Sequence, residues 1–244
     1  MWVVGADDCR AGWLVVFRSL DGQEHKARIF EPETLGEIFR VPEQPVVAAI
    51  DIPIGLLTVS KPGGRTADIA CRKLLGRGRG SSVFPPPSRA ALVATSFLEA
   101  CEIERVNSAP PKKIPQQTFN ILAKIREIDA IASHFKGTIF ECHPEISFWA
   151  MNGRVPMRLP KKSGKSLNGT KSGLEERRQL LLKNGYSEAF LSTRLGSSKE
   201  YSSDDLLDAC AAAWTAERIF LNQAVRFPLE AEFDELGLDM AIQA

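Results

Sequence analysis

The sequence has no apolar run of about 18 residues, the length that a membrane-spanning helix requires. Its first residues also lack the basic stretch with which a secretory signal begins, and an acid follows at Asp7. We therefore expect a soluble, cytoplasmic protein with no membrane partner. With 244 residues, of which 44% are hydrophobic, the chain is long enough to bury the core of a single domain.

Cysteine is scarce, with five residues in the whole chain. The number is odd, the positions are widely separated and no Cys-x-x-Cys pair occurs, which argues against both a disulfide framework and a thiolate metal site. We expect reduced thiols at all of these positions, which are Cys9, Cys71, Cys101, Cys142 and Cys210.

The chain also lacks the Gly-x-x-x-x-Gly-Lys-Ser/Thr pattern with which many nucleoside triphosphatases hold phosphate. Gly164-Lys165-Ser166 comes near it, but Leu159 stands where the motif needs its first glycine. Residues 76–82 are glycine-rich and carry two arginines, yet they do not follow the pattern either. Neither stretch predicts an ATP site.

Net charge is nearly absent, at +1, but its distribution is uneven. Residues 61–79 carry +5 and residues 154–178 carry +6, which leaves −10 for the rest of the chain. Two basic segments on an acidic protein suggest an anionic partner such as nucleic acid or a phosphorylated small molecule, although they could also be solvated loops. The candidate phosphate-binding residues are Arg72, Arg77, Arg79, Lys161, Lys162 and Lys165.

What is present is the pattern of an α/β protein. Residues 2–7, 13–17 and 25–30 are β-favouring runs joined by turns, which predicts three consecutive antiparallel strands. Residues 46–50 form an apolar run without polar alternation, as in a strand buried on both faces of a sheet, and residues 138–142 form another short strand.

Helical spacing or helix start and stop signals mark six further segments. Three of them lie between the last two predicted strands, so we expect helical or basic insertions at about 60–135 and 150–200 within one domain. The predicted helices cover residues 34–39, 65–75, 88–103, 116–135, 174–184 and 202–216.

Two apolar strands each end in an aspartate. Asp7 closes the first strand, and Asp51 follows the apolar run 46–50 directly. An ionised carboxylate beside an apolar sheet is costly unless it is hydrogen-bonded, paired or bound to a cation. Either residue could merely shape a turn, but the repeated pattern favours a convergent site.

The end of the fifth predicted strand carries a third acid, Glu141, which is a further candidate for that site. Strand alternation could equally point its side chain to solvent. His143 follows two residues later and could serve as a metal ligand or proton shuttle. A lone histidine beside a proline is more often structural, however.

The last predicted helix begins at Ser202 and has an alanine-rich body. Asp205 and Asp208 lie three residues apart and project from one face, where small residues would let the helix backbone approach a sheet closely. Acids in a first turn are also explained by the helix dipole without any catalytic role. That explanation suits Asp208 less well because it lies a turn further in.

These motifs together resemble an uncharacterised family, the domain of unknown function 429, over nearly the whole chain. The resemblance implies a nuclease with an RNase H-like fold, in which a mixed five-stranded sheet of three antiparallel and then parallel strands is flanked by helices. The matching residues are Gly5-Ala6-Asp7 with Cys9-Arg10 and Gly12-Trp13, Asp51-Ile52-Pro53-Ile54-Gly55-Leu56, Glu141 with His143-Pro144-Glu145, and Asp204-Asp205 with Asp208-Ala209.

The carboxylates are also similar to those of Holliday-junction resolvases of the same superfold. That likeness implies catalytic and metal-binding roles for Asp7, Asp51, Asp205 and Asp208. Asp51 stands where such resolvases have a glutamate, which is longer by one methylene. Glu141 is implied as a catalytic residue by the nearer family alone.

Clustered acids repel one another and suit a hard cation, so we expect Mg²⁺ or Mn²⁺ as the cofactor. Two such ions about 3.5–4 Å apart would support hydrolysis of phosphodiester bonds in nucleic acid. The alternatives are a noncatalytic nucleic-acid or protein-binding module and an ATPase of the actin and sugar-kinase class, although Cys9-Arg10-Ala11 stands where such ATPases bind phosphate. The oligomeric state stays open, with a dimer as one possibility.

Overall fold

The computed structural model describes residues 1–161 and 172–244. Within them the chain forms one mixed sheet of seven strands flanked by helices. The strands are β1 (Trp2–Cys9), β2 (Gly12–Ser19), β3 (Lys26–Phe30), β4 (Ala48–Ile50), β5 (Ile139–Cys142), β6 (Arg226–Phe227) and β7 (Ile242–Gln243).

The strand order in the sheet is β3-β2-β1-β4-β5-β7-β6. Strands β3, β2 and β1 are antiparallel, β1, β4, β5 and β7 are parallel, and β6 closes the edge in the antiparallel sense. The predicted α/β class and mixed sheet are therefore confirmed. The sheet is larger than the five strands expected because β6 and β7 have two residues each, too few to show a periodicity in the sequence.

Eight α-helices surround this sheet in the described residues. Four of them lie between β4 and β5, where the sequence predicts a helical insertion. The helices are α1 (Thr66–Arg79), α2 (Phe97–Val106), α3 (Gln116–Asn120), α4 (Leu122–Ala132), α5 (Pro144–Met151), α6 (Gly173–Lys183), α7 (Glu188–Leu191) and α8 (Ser203–Phe220).

Two predicted helices are broken. Residues 88–103 form a 3-10 turn and then α2, because the chain is extended at Ala94 and Ser96 caps a new helix by accepting the Glu99 N–H. Residues 116–135 divide at Ile121 into α3 and α4. Apolar spacing predicted both segments as helical but did not locate these interruptions.

Helix α8 lies directly against β1 because Gly5 has no side chain. A Cβ atom at Gly5 would lie 2.0 Å from the Ala213 nitrogen and 2.3 Å from the Ala209 carbonyl oxygen. The expectation that small residues bring this helix close to the sheet is confirmed. The contact fixes the height and rotation of α8 over the first strand.

Side chains alternate between two faces of the sheet, and each face has its own core. Val4 and Ala6 of β1 pack with residues of α2 and α4 on one face. Leu14 and Val16 of β2 pack with residues of α6 and α8 on the other. The sheet is thus covered on both sides, and polar side chains collect where its parallel strands end.

No helix in residues 1–161 or 172–244 is long and apolar enough to cross a membrane. All five cysteines are buried and carry free thiols. The charged residues of the chain are therefore carboxylates and basic side chains.

Candidate functional site

Asp7 and Asp51 lie side by side at the carboxyl ends of two adjacent parallel strands. The pairing of Ala6 with Ile50 places the next residues, the two aspartates, level with each other, and the Asp51 N–H donates to the Ala6 carbonyl oxygen at 3.0 Å. Both side chains line the same cavity. The predicted meeting of two strand-end acids is present in the structure.

Burial and two acidic neighbours govern the protonation of this pair. Burial, together with the charges of Asp208 and Asp51, raises the pKa of Asp7 well above its usual value. Burial also raises the pKa of Asp51, against the opposing effects of His143 and Lys161. Without a cation, burial therefore disfavours the charged form of both carboxyls.

Asp208 brings a third acid to the pair from α8. The close packing of α8 on Gly5 places it beside Asp7, and its side chain is buried, with 5% of its surface exposed. Burial raises the pKa of Asp208 from 3.8 to about 6. Its Oδ1 atom has no hydrogen-bond partner among the described residues, which is unusual for a buried carboxylate oxygen.

Lys161 is the basic side chain that contacts these acids. Its ammonium forms an ion pair with Asp208 and lies 3.4 Å from Asp204. Burial alone would lower the pKa of Lys161, but the charges of Asp208, Asp7 and Asp204 raise it above its usual value. A charged lysine therefore partly neutralises the cluster.

Asp205, a predicted metal ligand, is placed differently. It is the third residue of α8, and its two carboxylate oxygens accept hydrogen bonds from the Ser202 N–H and hydroxyl at 2.8 and 2.5 Å. This is a capping box, which satisfies the free N–H groups at the start of the helix. Asp205 does not line the cavity around Asp7, Asp51 and Asp208.

Glu141 reaches the cavity from the opposite face of the sheet. It pairs in register with Ile50, so strand alternation separates it from Asp51. Its oxygens accept hydrogen bonds from both terminal nitrogens of Arg65, at 2.7 and 2.6 Å, and from the Ile54 N–H at 2.6 Å. Glu141 thereby fixes the loop that follows Asp51.

The sequence analysis missed Arg65 and its second partner, Asp68. The guanidinium is 1% exposed and bonds Asp68, Glu141 and the Ile54 carbonyl oxygen. Burial alone would lower the pKa of Arg65, but the two carboxylates raise it above its usual value. The Arg-x-x-Asp spacing at the start of a predicted helix could have indicated this pair. Within the basic segment, however, Arg65 looked like any other basic residue.

A second buried ion pair was also missed. Arg177 of α6 donates to both oxygens of Glu145 at 2.6 and 2.7 Å, and it is fully buried. Arg79 lies 3.7 Å from the same carboxylate. Glu145 belongs to the family motif at residues 143–145. Nothing in the sequence indicated its arginine partners.

His143, the other residue of that motif, caps α5. Its Nδ1 atom accepts the Glu145 N–H at 3.2 Å, and Nε2 lies 3.2 Å from the Ser82 carbonyl oxygen. These contacts orient the ring with Nε2 toward the Ser82 carbonyl oxygen. The structural interpretation of His143 therefore fits its contacts, although the ring also lies close enough to Asp51 to affect its charge.

Apart from Asp204 and Asp205, the charged side chains described above border one cavity of about 710 Å³ at the end of the sheet. Of the predicted phosphate-binding residues, Arg79 and Lys161 line it, whereas Arg72 and Arg77 do not. Arg79 also donates to the carbonyl oxygens of Met157 and Arg158, at 3.1 and 2.9 Å. Lys162 and Lys165 lie outside the described residues.

Two features of the acids suit a divalent cation: their oxygen ligands and the buried Oδ1 atom of Asp208, which has no hydrogen-bond partner among the described residues. In residues 1–161 and 172–244, no group of three or more His, Cys, Asp or Glu side chains is already arranged around a common point. Asp7 and Asp51 are in contact, however, and the buried Oδ1 of Asp208 has no partner. All-oxygen donors of this kind suit Mg²⁺ or Mn²⁺.

Comparison with known proteins identifies the family but not an activity. A family model described as "Protein of unknown function (DUF429)" matches residues 5–232, so the chain belongs to this family. The matched range includes Asp7, Asp51, Glu141 and Asp208. No curated protein and no solved structure matches the chain significantly.

Proposed function

We propose that this member of the DUF429 family is a metal-dependent nuclease with an RNase H-like fold, which hydrolyses phosphodiester bonds in nucleic acid. One observation carries the proposal. Asp7, Asp51 and Asp208 come from two strands and a helix that are far apart in the chain, and they meet at the carboxyl ends of parallel strands. Ligand sites in open α/β sheets commonly lie at this edge.

The strand arrangement supports the fold assignment. The first five strands follow the order β3-β2-β1-β4-β5, with the first three antiparallel and the rest parallel. This is the order expected for an RNase H-like sheet, with β7 and β6 added beyond β5. Asp7 on β1 and Asp208 on α8 both line the cavity, which supports the resolvase likeness, whereas Asp205 caps α8.

Charge balance supports a metal role for Asp7, Asp51 and Asp208, which would hold Mg²⁺ or Mn²⁺. When bound, such an ion supplies Lewis-acid activation of water and stabilises negative charge on the reacting phosphate. The residues of the chain supply the acidic pocket, and the Arg65 ion pair with Glu141 holds the loop after Asp51 in place. Arg79 and Lys161 add positive charge at the cavity to attract phosphate.

The direct test is a cleavage assay on single-stranded, duplex and branched DNA and RNA, with Mg²⁺ or Mn²⁺ and with EDTA. We expect wild-type cleavage that EDTA abolishes and that Asp7→Asn lowers by more than about a hundredfold, since even indirect partners of metal ligands often contribute that much. Asp21→Asn is the matched control, because Asp21 pairs with the terminal amine away from the cavity. Equal cleavage by wild type and Asp7→Asn would refute the proposal.

The same assay separates the proposed activity from a noncatalytic binding module. Retention of nucleic acid without cleavage of any substrate, at every metal concentration, would favour the binding module. An ATPase role has no comparable support, since Cys9 pairs directly with Gly12 and leaves a two-residue turn after the first strand.

A further inference from the structure

Lys161 occupies a specific place among the acids. Arg65 faces Glu141 and Asp68, Arg177 and Arg79 face Glu145, and Lys161 faces Asp208 and Asp204. Each acidic group at the cavity thus has its own basic partner. For the group that includes Asp7 and Asp51, the partner among the described residues is the Lys161 ammonium.

The backbone that carries Lys161 is held from several sides. Glu176 accepts the N–H groups of Arg158 and Leu159 at 3.2 and 2.9 Å. Arg177 donates to the Leu159 carbonyl oxygen at 3.2 Å, and Arg79 donates to that of Arg158. Contacts from α1 and α6 therefore hold residues 158 and 159, which lie just before Lys161 in the chain.

The contact also leaves the two carboxylate oxygens of Asp208 in different environments. The ammonium binds Oδ2, while Oδ1 stays buried without a hydrogen-bond partner. Asp7 and Asp51 lie level with each other on adjacent strands and line the same cavity. One side of the cluster thus has a cation, and the other side has free carboxylate oxygens.

We propose that Lys161 takes the place of one of the two cations expected at such a site, so that the protein binds a single divalent ion with Asp7, Asp51 and Oδ1 of Asp208. This inference rests on the proposed function. A second divalent ion near Asp204 and Asp208 would meet the Lys161 ammonium, and like charges a few ångströms apart repel strongly in a buried site. Four acids with one lysine and one divalent ion leave a net charge of about −1, which a phosphate-binding arginine can offset.

The test counts bound Mn²⁺ by electron paramagnetic resonance and isothermal titration calorimetry at neutral pH. We expect one ion per chain for the wild type and for Lys161→Arg, which keeps the charge. Lys161→Met removes the charge and should bind two ions, with the first at least about tenfold tighter. Lys113→Met, which changes an exposed lysine, is the control and should match the wild type.

The outcomes separate this inference from the proposed function. Two ions in the wild type, or one ion of unchanged affinity in Lys161→Met, would overturn the role of Lys161 and leave the metal site standing. No bound ion in any variant would overturn both. Because Lys161→Met leaves Asp208 without its partner, its melting temperature is measured with and without Mn²⁺, and we expect Mn²⁺ to raise it more than in the wild type.

Discussion

Two groups of carboxylates border the same cavity and differ in how their charge is balanced. Asp68 and Glu141 share the buried guanidinium of Arg65, which forms hydrogen bonds of 2.6–3.2 Å with them. Asp7, Asp51 and Asp208 share only the Lys161 ammonium among the described basic residues, and the Oδ1 atom of Asp208 has no partner. We call the first group compensated because its oxygens are paired with Arg65, even though burial still raises the pKa of Glu141 to about 7. The second group is uncompensated because a buried carboxylate oxygen has no partner among the described residues.

The difference indicates which acids build the cavity and which bind a ligand. A buried ion pair with all its hydrogen bonds made is a rigid structural element, and removing one partner leaves an uncompensated charge. A group of acids with too little positive charge has an affinity for a cation instead. We therefore infer that Glu141 supports the site and that Asp7, Asp51 and Asp208 form it.

The largest expected effect comes from breaking the compensated group. Arg65→Met leaves Asp68 and Glu141 buried without their cation, and we expect the free energy of unfolding to fall by about 3–5 kcal/mol in urea denaturation. Arg40→Met removes an exposed pair with Glu37 and should change stability by less than about 0.5 kcal/mol. If Arg65→Met lowered the free energy of unfolding by less than about 1 kcal/mol, the two groups of carboxylates would not differ in the way proposed.

The uncompensated group should respond to pH when metal is removed. Asp208 has a pKa of about 6 in the folded protein and 3.8 as its ordinary value, so the folded state keeps a proton that the unfolded chain releases. Its contribution to stability is complete below about pH 3.8 and is lost as the pH rises through about 6, which amounts to about 3 kcal/mol.

Urea denaturation in EDTA across this pH range tests that expectation. The difference in unfolding free energy between wild type and Asp208→Asn isolates the contribution of this residue from that of other titrating groups. The wild type should lose stability relative to the variant as the pH rises. A constant difference across the range would show that Asp208 is already compensated in the metal-free protein.

Replacing Gly5, the glycine under α8, should disturb the group formed by Asp7, Asp51 and Asp208 and leave the Arg65 ion pairs intact. Gly5→Ala places a Cβ atom within 2.0 Å of the Ala213 nitrogen, so α8 must move, and we expect a loss of about 1–3 kcal/mol in unfolding free energy. The thermal stabilisation by Mn²⁺ should disappear because Asp208 moves away from Asp7. Gly36→Ala is the control, since the added carbon meets only one atom, at 4.0 Å.

The smallest expected effect separates a helix cap from a metal ligand. Asp205→Ala removes the capping box of α8, and we expect a loss of about 1 kcal/mol in unfolding free energy. Mn²⁺ stoichiometry and affinity should stay at wild-type values. A loss of Mn²⁺ binding would show instead that Asp205 belongs with Asp7, Asp51 and Asp208.

The sequence predicted the elements that carry the acids of the second group. Apolar runs precede Asp7 and Asp51, although β1 continues past Asp7 to Cys9. Helix α8 has a serine start signal and an alanine-rich body. Each of these signals is local, so a single sequence can contain it. The repeated aspartate after an apolar run favoured a convergent site, and the resolvase likeness added the acids of α8.

The balance of charge could not be predicted in the same way. Arg65 appeared as one basic residue in a basic segment, because its burial depends on Glu141, 76 positions away in the chain. The face on which Glu141 lies depends on its register with Ile50, which alternation alone does not specify. Asp205 and Asp208 were both predicted metal ligands, and the structure distinguishes them because Asp205 caps α8 whereas Asp208 lines the cavity.

Anomalous diffraction from crystals soaked in Mn²⁺ tests the central claim most directly, because it locates the ion among the acids of the cavity. We predict one peak in contact with Asp7, Asp51 and the Oδ1 atom of Asp208, with the Arg65 ion pairs to Asp68 and Glu141 intact. A peak at Glu141, or no peak between Asp7 and Asp208 at saturating Mn²⁺, would contradict the account.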